Sequence, residues 1–329
     1  MVYDKVSVLI PAYNAAPFLA QTIASVLAQD WPNLEIIIVD DGSTDATLAV
    51  AQAHASAQIR VATQPNRGAS AARNHAYALA TGSYIQYLDA DDLLHPQKIS
   101  AQMAALRGQS TRVLSSSAWG IFYDVPSDEQ LRSTVLWQDY SEPTDWLLAA
   151  WGHGVWMQPS AWLAHRELLE AAGPWNEQLS LHDDGEFFCR VVLASSQVVF
   201  CRQARSYYRK GLADSLSSGR SLRAVRSHLE VACLYEQHLL ARRSDAAARQ
   251  VCATIFQHFI YEYYPAYPEL RAVAASHVKA LGGSTAAPIS TPLFQKLDAL
   301  VGWRLSKRIQ NVVYRLGLNP AAWKAKLSR

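Results

Sequence analysis

Three carboxylates fall within four residues at Asp89-Ala90-Asp91-Asp92, directly after the strand-like run Tyr84-Ile85-Gln86-Tyr87-Leu88. Like charges this close repel unless a cation or a set of donors offsets them. Hard oxygen ligands suit Mg2+ or Mn2+, which keep several waters and bridge to substrate phosphates. A solvated turn capping the stretch at His95-Pro96 would explain a lone D-x-D as well. A second feature shifts the balance. Asn66-Arg67-Gly68-Ala69-Ser70-Ala71-Ala72-Arg73-Asn74 opens a helix one strand earlier, and helix-start N–H groups beside an arginine suit a diphosphate. Arg73 alone reads equally well as a surface ion-pair residue. Tyr13 stands where it can stack on a nucleobase and Asp40 where it can accept from a base N–H; a strand-end aromatic and a helix cap are the plainer readings.

These groups need strands that deliver them to one edge. Val6 to Ile10 and Glu35 to Val39 are short β-branched runs, and Ile59 to Thr63 and Tyr84 to Leu88 repeat the pattern. Between them, Leu19, Ile23, Val26 and Leu27 share a helical face, Ser43-Thr44-Asp45 supplies capping oxygens, and a helix is expected from about Ala69 to Ala80. Strand and helix alternate as in parallel βαβ units, whose ligands bind at the carboxyl ends of the strands. Pro11-Ala12-Tyr13-Asn14, Asp40-Asp41-Gly42 and the acidic turn each follow a strand, so they are expected to converge.

At 329 residues, one large α/β domain with a smaller appendage is the natural estimate. Half the residues are hydrophobic and the net charge is +2, against both a disordered chain and a dedicated nucleic-acid binder. Cys189, Cys201, Cys233 and Cys252 stand far apart without a C-x-x-C pair, so zinc and redox motifs find no support. Neither a secretory leader nor a membrane-spanning run is evident, which makes the cytoplasm the expected compartment. From Arg112 to Trp175 the alternation fades while seven of the ten tryptophans appear; beyond Ser221 the chain reads as helices.

Val6-Ser7-Val8-Leu9-Ile10-Pro11-Ala12-Tyr13-Asn14, Ile38-Val39-Asp40-Asp41-Gly42-Ser43-Thr44-Asp45, Asn66-Arg67-Gly68 through Arg73-Asn74, and Leu88-Asp89-Ala90-Asp91-Asp92 resemble, in this order, the motifs of family 2 glycosyltransferases. The likeness runs from about residue 5 to residue 210. It implies an α/β chain of GT-A fold, Rossmann-like with a mostly parallel central sheet flanked by helices, over residues 1–218; the helical pattern of the residues beyond makes 219–329 a helical C-terminal region. The likeness also implies an inverting, metal-dependent transfer of one sugar from a nucleotide-diphosphate sugar, a UDP-sugar above all, to a glycan or lipid-linked hydroxyl in cell-surface polysaccharide synthesis. Carried over by position, the nucleotide-sugar site takes Pro11, Ala12, Tyr13, Asn14, Asp40, Asn66, Gly68, Arg73, Asp89 and Ala90, while Asp91 holds Mn2+ or Mg2+.

The family's general base sits in an acidic pair heading a helix. His182-Asp183-Asp184-Gly185-Glu186-Phe187-Phe188-Cys189-Arg190 resembles that segment, led in by Gly173-Pro174-Trp175-Asn176-Glu177. Asp184 is then the expected base, Asp183 the second choice and Glu186 the third; acidic N-terminal capping accounts for one of them. A histidine that relatives place soon after is missing from Tyr207-Tyr208-Arg209-Lys210-Gly211, which leaves the coordination to water or phosphate, or gives Lys210 a role at the diphosphate. Ser215 to Ser218 reads as a closing loop or a plain linker, and Trp156 and Trp175 are the first candidates to touch an acceptor sugar.

From Lys296 onward eight basic residues face a single acid, Asp298, and Leu297, Leu300, Val301, Leu305, Ile309, Val312, Val313 and Leu316 interleave as an amphipathic helix. Such a helix either docks on the rest of the chain or makes peripheral contact with the inner face of a membrane. A processive synthase is disfavoured without spans or a Q-x-x-R-W segment, and a nicotinamide enzyme without G-x-G-x-x-G. The alternative kept open is a non-catalytic nucleotide-sugar or glycan-binding module.

Overall fold

The computed structural model of the chain describes residues 3–131, 133–211, 221–288 and 292–315. They form two compact units, Met1–Ser244 and Asp245–Arg329. Ser215 to Ser218, Leu316, Lys324, Lys326 and Arg329 lie outside the described residues.

The first unit is built on one eight-stranded sheet. Strands β1 (Val6–Ala12), β2 (Leu34–Asp40), β3 (Ile59–Thr63) and β4 (Tyr84–Tyr87) run parallel in the order β3-β2-β1-β4. Every residue of β1 is buried, as expected of a parallel strand covered on both faces. Helices α1 (Ala16–Leu27), α2 (Thr47–Ala53) and α3 (Ala69–Leu79) connect them. Leu19, Ile23 and Val26 of α1 are buried at helical spacing, but Leu27 is exposed. One residue is a rotation of about 100°, which carries Leu27 off the inner face it was expected to share.

The sheet continues as β4-β7-β6-β8-β5. Here β5 is Leu93–Leu94, β6 Val113–Phe122, β7 Leu163–His165 and β8 Gln197–Arg209; α4 (Lys98–Leu106), α5 (Pro143–Gly152), α6 (Arg166–Ala172) and α7 (Asp183–Ala194) flank them. Strand β7 is antiparallel to both β4 and β6, β5 is antiparallel to β8, and β6 and β8 are parallel with a register break between Ser117 and Ala118. Trp146, Trp162 and Trp175 are buried packing residues. Under α4 lies a polar seam: the fully buried Lys98 amino group donates to Gln86 Oε1 and to the Trp162 carbonyl, while Gln102 Nε2 donates to the carbonyls of Ser115 and Ala161. Helix α8 (Leu222–Arg242) packs on α7 and belongs to this unit.

The second unit contains α9 (Ala246–Tyr263), capped by Asp245, then α10 (Pro268–Ala280), α11 (Pro292–Val301) and α12 (Trp303–Arg315). The single helix read from Lys296 onward is two, because Gly302 takes φ +75° between them. Trp303 meets Tyr261 and Tyr264 edge-on, with centroids 4.7 and 5.1 Å apart. Helix α12 is inside out: Ser306 and Gln310 are 1% and 9% exposed, while Leu305, Ile309 and Val312 are 49%, 37% and 56% exposed. Among the described residues no helix is long and apolar enough to cross a membrane.

Candidate active site

The ends of β1 and β2 lie side by side, with Ala12 paired to Asp40. Past them, Asn14 takes a left-handed conformation, φ 48°, which Asn tolerates better than most residues. Its Oδ1 accepts from the Thr44 amide at 2.8 Å and its own amide donates to Ser43 Oγ at 3.0 Å, so the two loops are stitched together. Pro11 and Ala12 are buried beneath, while the Tyr13 ring is exposed. Asp40 is buried. One of its oxygens accepts from the Ser43 amide at 3.2 Å, and Oδ1 has no partner among the described residues. An acceptor buried in this state is out of balance until a donor reaches it.

Asp41 spans to the start of α3, accepting from Arg67 N at 2.9 Å and Gly68 N at 2.8 Å. Two amides that the sequence offered to a diphosphate are thus held by a carboxylate of the protein itself. Asn66 is exposed, and its amide lies so close to Gly42 that a Cβ there would stand 2.8 Å away.

Arg73, one turn into α3, is buried and joins two distant parts of the chain. Nη2 donates to Asp89 Oδ1 at 2.7 Å and Nη1 to Asp183 Oδ2 at 2.9 Å. Ser70 Oγ donates to the same Asp183 oxygen at 2.7 Å. The guanidinium lies 4.4 Å over the Trp175 ring, and Trp175 stacks on Phe187 with centroids 4.1 Å apart. Burial alone would weaken the arginine's hold on its proton, but Asp89 and Asp183 reverse this and raise its pKa. Asn74 secures the neighbouring loop, accepting from Trp175 N at 2.9 Å and donating to its carbonyl at 3.0 Å. Trp175 is therefore a buried support for Arg73, which corrects its reading as an acceptor platform.

The acidic turn is anchored from both sides. Thr22 Oγ1 of α1 donates to the Ala90 carbonyl at 2.9 Å. Arg209, at the end of β8, donates its amide to Asp92 Oδ1 and Nε to the Asp91 carbonyl, both at 2.9 Å, and Nη2 to Gln21 at 2.6 Å. Its guanidinium is sandwiched 4.9 Å from Phe18 and 4.4 Å from Phe122. Sequence reasoning passed over Arg209 while weighing its neighbour Lys210, which is exposed. Burial, then the charge of Asp89, pushes Asp91 up to about 6; burial and both neighbouring carboxylates push Asp92 up as well. Mutual repulsion thus adds to burial in raising both carboxylates, and a nearby positive charge would oppose that part of the effect.

Asp183 and Asp184 begin α7 and are treated differently. Asp183 is committed to Arg73 and Ser70, whereas among the described residues Asp184 Oδ1 accepts only from the following amide, Gly185 N, at 2.8 Å. Burial, then Asp183, pushes Asp184 up to about 6, with Asp89 adding to the effect and Arg73 opposing it. Glu186 is bound by Arg190 at 2.7 Å and meets His238 at 3.4 Å, a structural arrangement. The structure thus brings Arg73, Asp89, Asp183 and the acidic turn to one end of the sheet, with Asp184 beside them. To one side, Trp156 is exposed and lies against Trp119, centroids 4.7 Å apart, and Tyr208 at 5.5 Å.

Residues 7–170 match the family model "Glycosyl transferase family 2". The uncharacterized glycosyltransferase YibD of Escherichia coli (strain K12) is 36% identical over 168 residues, 47% of this chain and 47% of YibD. The chain spans about half the length of that relative, and less of the next ones. In fold it is similar to TarS of S. aureus in complex with UDP-GlcNAc, with TM-score 0.67 at 18% identity over 95% of this chain and 92% of the other. A mannosyltransferase from Pyrobaculum calidifontis in complex with GDP-Man and Mn2+ gives TM-score 0.54 at 18% identity over 95% and 88%. With the motifs in place on a sheet of the GT-A kind, this chain belongs to glycosyl transferase family 2.

Proposed function

We propose that the chain moves a single sugar from a nucleotide-diphosphate sugar, a UDP-sugar in the first place, to a hydroxyl of a glycan or lipid-linked acceptor, with inversion, in the making of a cell-surface polysaccharide. The observation that carries this reading is Arg73 gripping Asp89 and Asp183 at once, which sets the acidic turn beside the start of α7. Asp40 Oδ1 awaits a donor such as a base N–H, and Tyr13 can stack on the base plane. Asp91 would hold a divalent cation. Among the described residues no three His, Cys, Asp or Glu side chains gather as a metal cage, so the remaining ligands would be diphosphate oxygens and water, as Mg2+ and Mn2+ prefer. When bound, the cation supplies positive charge to the leaving diphosphate.

Asp184 has the freer carboxylate of its pair and is assigned as the base that takes the acceptor hydroxyl's proton as the new bond forms. Attack opposite to departure inverts the anomeric carbon. The exposed Trp156, backed by Trp119 and Tyr208, offers an apolar plane to the acceptor sugar. The outward aliphatic stripe of α12, flanked by Arg304 and Arg308, favours peripheral contact with an anionic membrane, at the inner face if the chain is cytoplasmic.

A thermal-shift screen of UDP-GlcNAc, UDP-glucose, UDP-galactose and GDP-mannose, with and without Mn2+, tests the donor site. One sugar nucleotide should raise the melting temperature more with metal than without; at a hundredfold excess over Kd the bound ligand adds about 2.7 kcal/mol of stability over ligand-free protein. A flat response to all four would remove the donor reading.

A further inference from the structure

One face of α8 lies along the segment that carries Asp184. Ser227 Oγ accepts from the amides of Ser180 at 2.9 Å and Leu181 at 3.1 Å and donates to the Leu181 carbonyl at 3.0 Å. The His228 ring packs on that of His182, centroids 4.3 Å apart. Two turns later Tyr235, itself stacked on Trp151 at 4.5 Å, reaches Gly185. A Cβ built on Gly185 would overlap the Tyr235 hydroxyl, while the ring carbon bearing that hydroxyl would stand at 3.4 Å, an ordinary contact. The spacing of 227, 228, 235 and 238 keeps these residues on one side of the helix. Gly185 is also the residue whose amide donates to Asp184 Oδ1, so whatever fixes Gly185 fixes the carboxylate.

We propose that Tyr235, with Ser227 holding the approach to α7, is a positioning residue that aims the Asp184 carboxylate by clamping Gly185. The proposal rests on the reading of Asp184 as the base. It gives α8, which lies beyond the region matched by the family model, a part in the reaction. It also explains a glycine in the first turn of α7, where a side chain would help the helix but has no room.

The test is a set of full-length variants, Gly185→Ala, Tyr235→Phe and the two combined, assayed with Mn2+ and whichever of the four sugar nucleotides above the unchanged protein turns over fastest. Gly185→Ala should lower kcat by about tenfold or more, as small misplacements of a reacting group do, with donor KM within about twofold. Tyr235→Phe, which removes the hydroxyl that bears on Gly185, should also lower kcat, by several-fold, and an unchanged kcat there would leave Tyr235 without the positioning role. The double variant, in which the hydroxyl no longer meets the new methyl, should return kcat to the Tyr235→Phe level. An unchanged kcat in Gly185→Ala, or a double variant that melts like the unchanged protein yet stays slow, would overturn the clamp. Asp184→Asn separates the two failures: full activity there sinks the base reading, whereas its inactivity alongside an unrescued double variant sinks only the positioning.

Discussion

Asp184 sits where ionising is unfavourable, because burial and then the neighbouring Asp183 push it to about 6, while Arg73 pulls the other way. A base works only when ionised, so kcat/KM should rise with pH through an inflection near 6. Asp184→Asn should abolish that limb and lower kcat by about 10²–10⁴ while donor affinity persists. A profile with the same acid limb in the variant would assign it elsewhere, full activity would move the base to another residue, and donor binding without turnover by the unchanged protein would favour the non-catalytic binding module. The stability sign is opposite to that of an ordinary ion-paired aspartate. Its folded pKa exceeds the ordinary 3.8, so the fold binds more protons between about 4 and 6, and stability falls as pH rises through that window. At this scale the carboxylates were legible, since crowded acids at a strand end or helix start leave a signal in the chain itself. Arg209 was not, because its value lies in contacts to Asp91 and Asp92 across 118 and 117 residues.

Among the elements, the parallel half of the sheet was readable because buried strands are continuous apolar runs with polar ends. The half from β5 to β8 was not: β5 has two residues and β7 three, too short for a period, and their pairing depends on partners elsewhere in the chain. The seam under α4 was equally hidden, since a lysine in a helix ordinarily points to water. Lys98 is fully buried without a carboxylate among its hydrogen-bond partners, and burial pushes its pKa well below the usual 10.5. Above the folded pKa and up to 10.5, only the unfolded chain holds the proton, so this residue's contribution to stability rises with pH. Comparing the unchanged protein with Lys98→Met in urea melts, the difference should move in favour of lysine from neutral to alkaline pH, by at most about 1.4 kcal/mol per pH unit. A difference that stays constant would mean the ammonium is charged in the fold.

For the molecule as a whole, the catalytic assignment stays with Met1–Ser244 and the surface-binding one with Asp245–Arg329. Basic residues from Lys296 onward marked the second region in the sequence, but periodicity could not tell which side of α12 would be covered. Full-length protein should co-sediment with vesicles rich in phosphatidylserine and much less with phosphatidylcholine alone, each basic residue near the surface adding about 1 kcal/mol. Leu305→Glu, Ile309→Glu and Val312→Glu together should release it while leaving the thermal shift with sugar nucleotide and Mn2+ the same as that of the unchanged protein. Equal binding of both proteins would exclude the stripe as the lipid contact, and a concentration-dependent dimer lost in the variant would make a second copy its occupant. The grip of Arg73 has a consequence in time as well as space. Its partners lie 16 and 110 residues away, so a chain still being synthesised cannot close this grip until residue 183 has emerged and docked. On the proposed reading, sugar nucleotide would meet its complete site only in finished molecules, and resistance to protease in its presence would count how many have been completed.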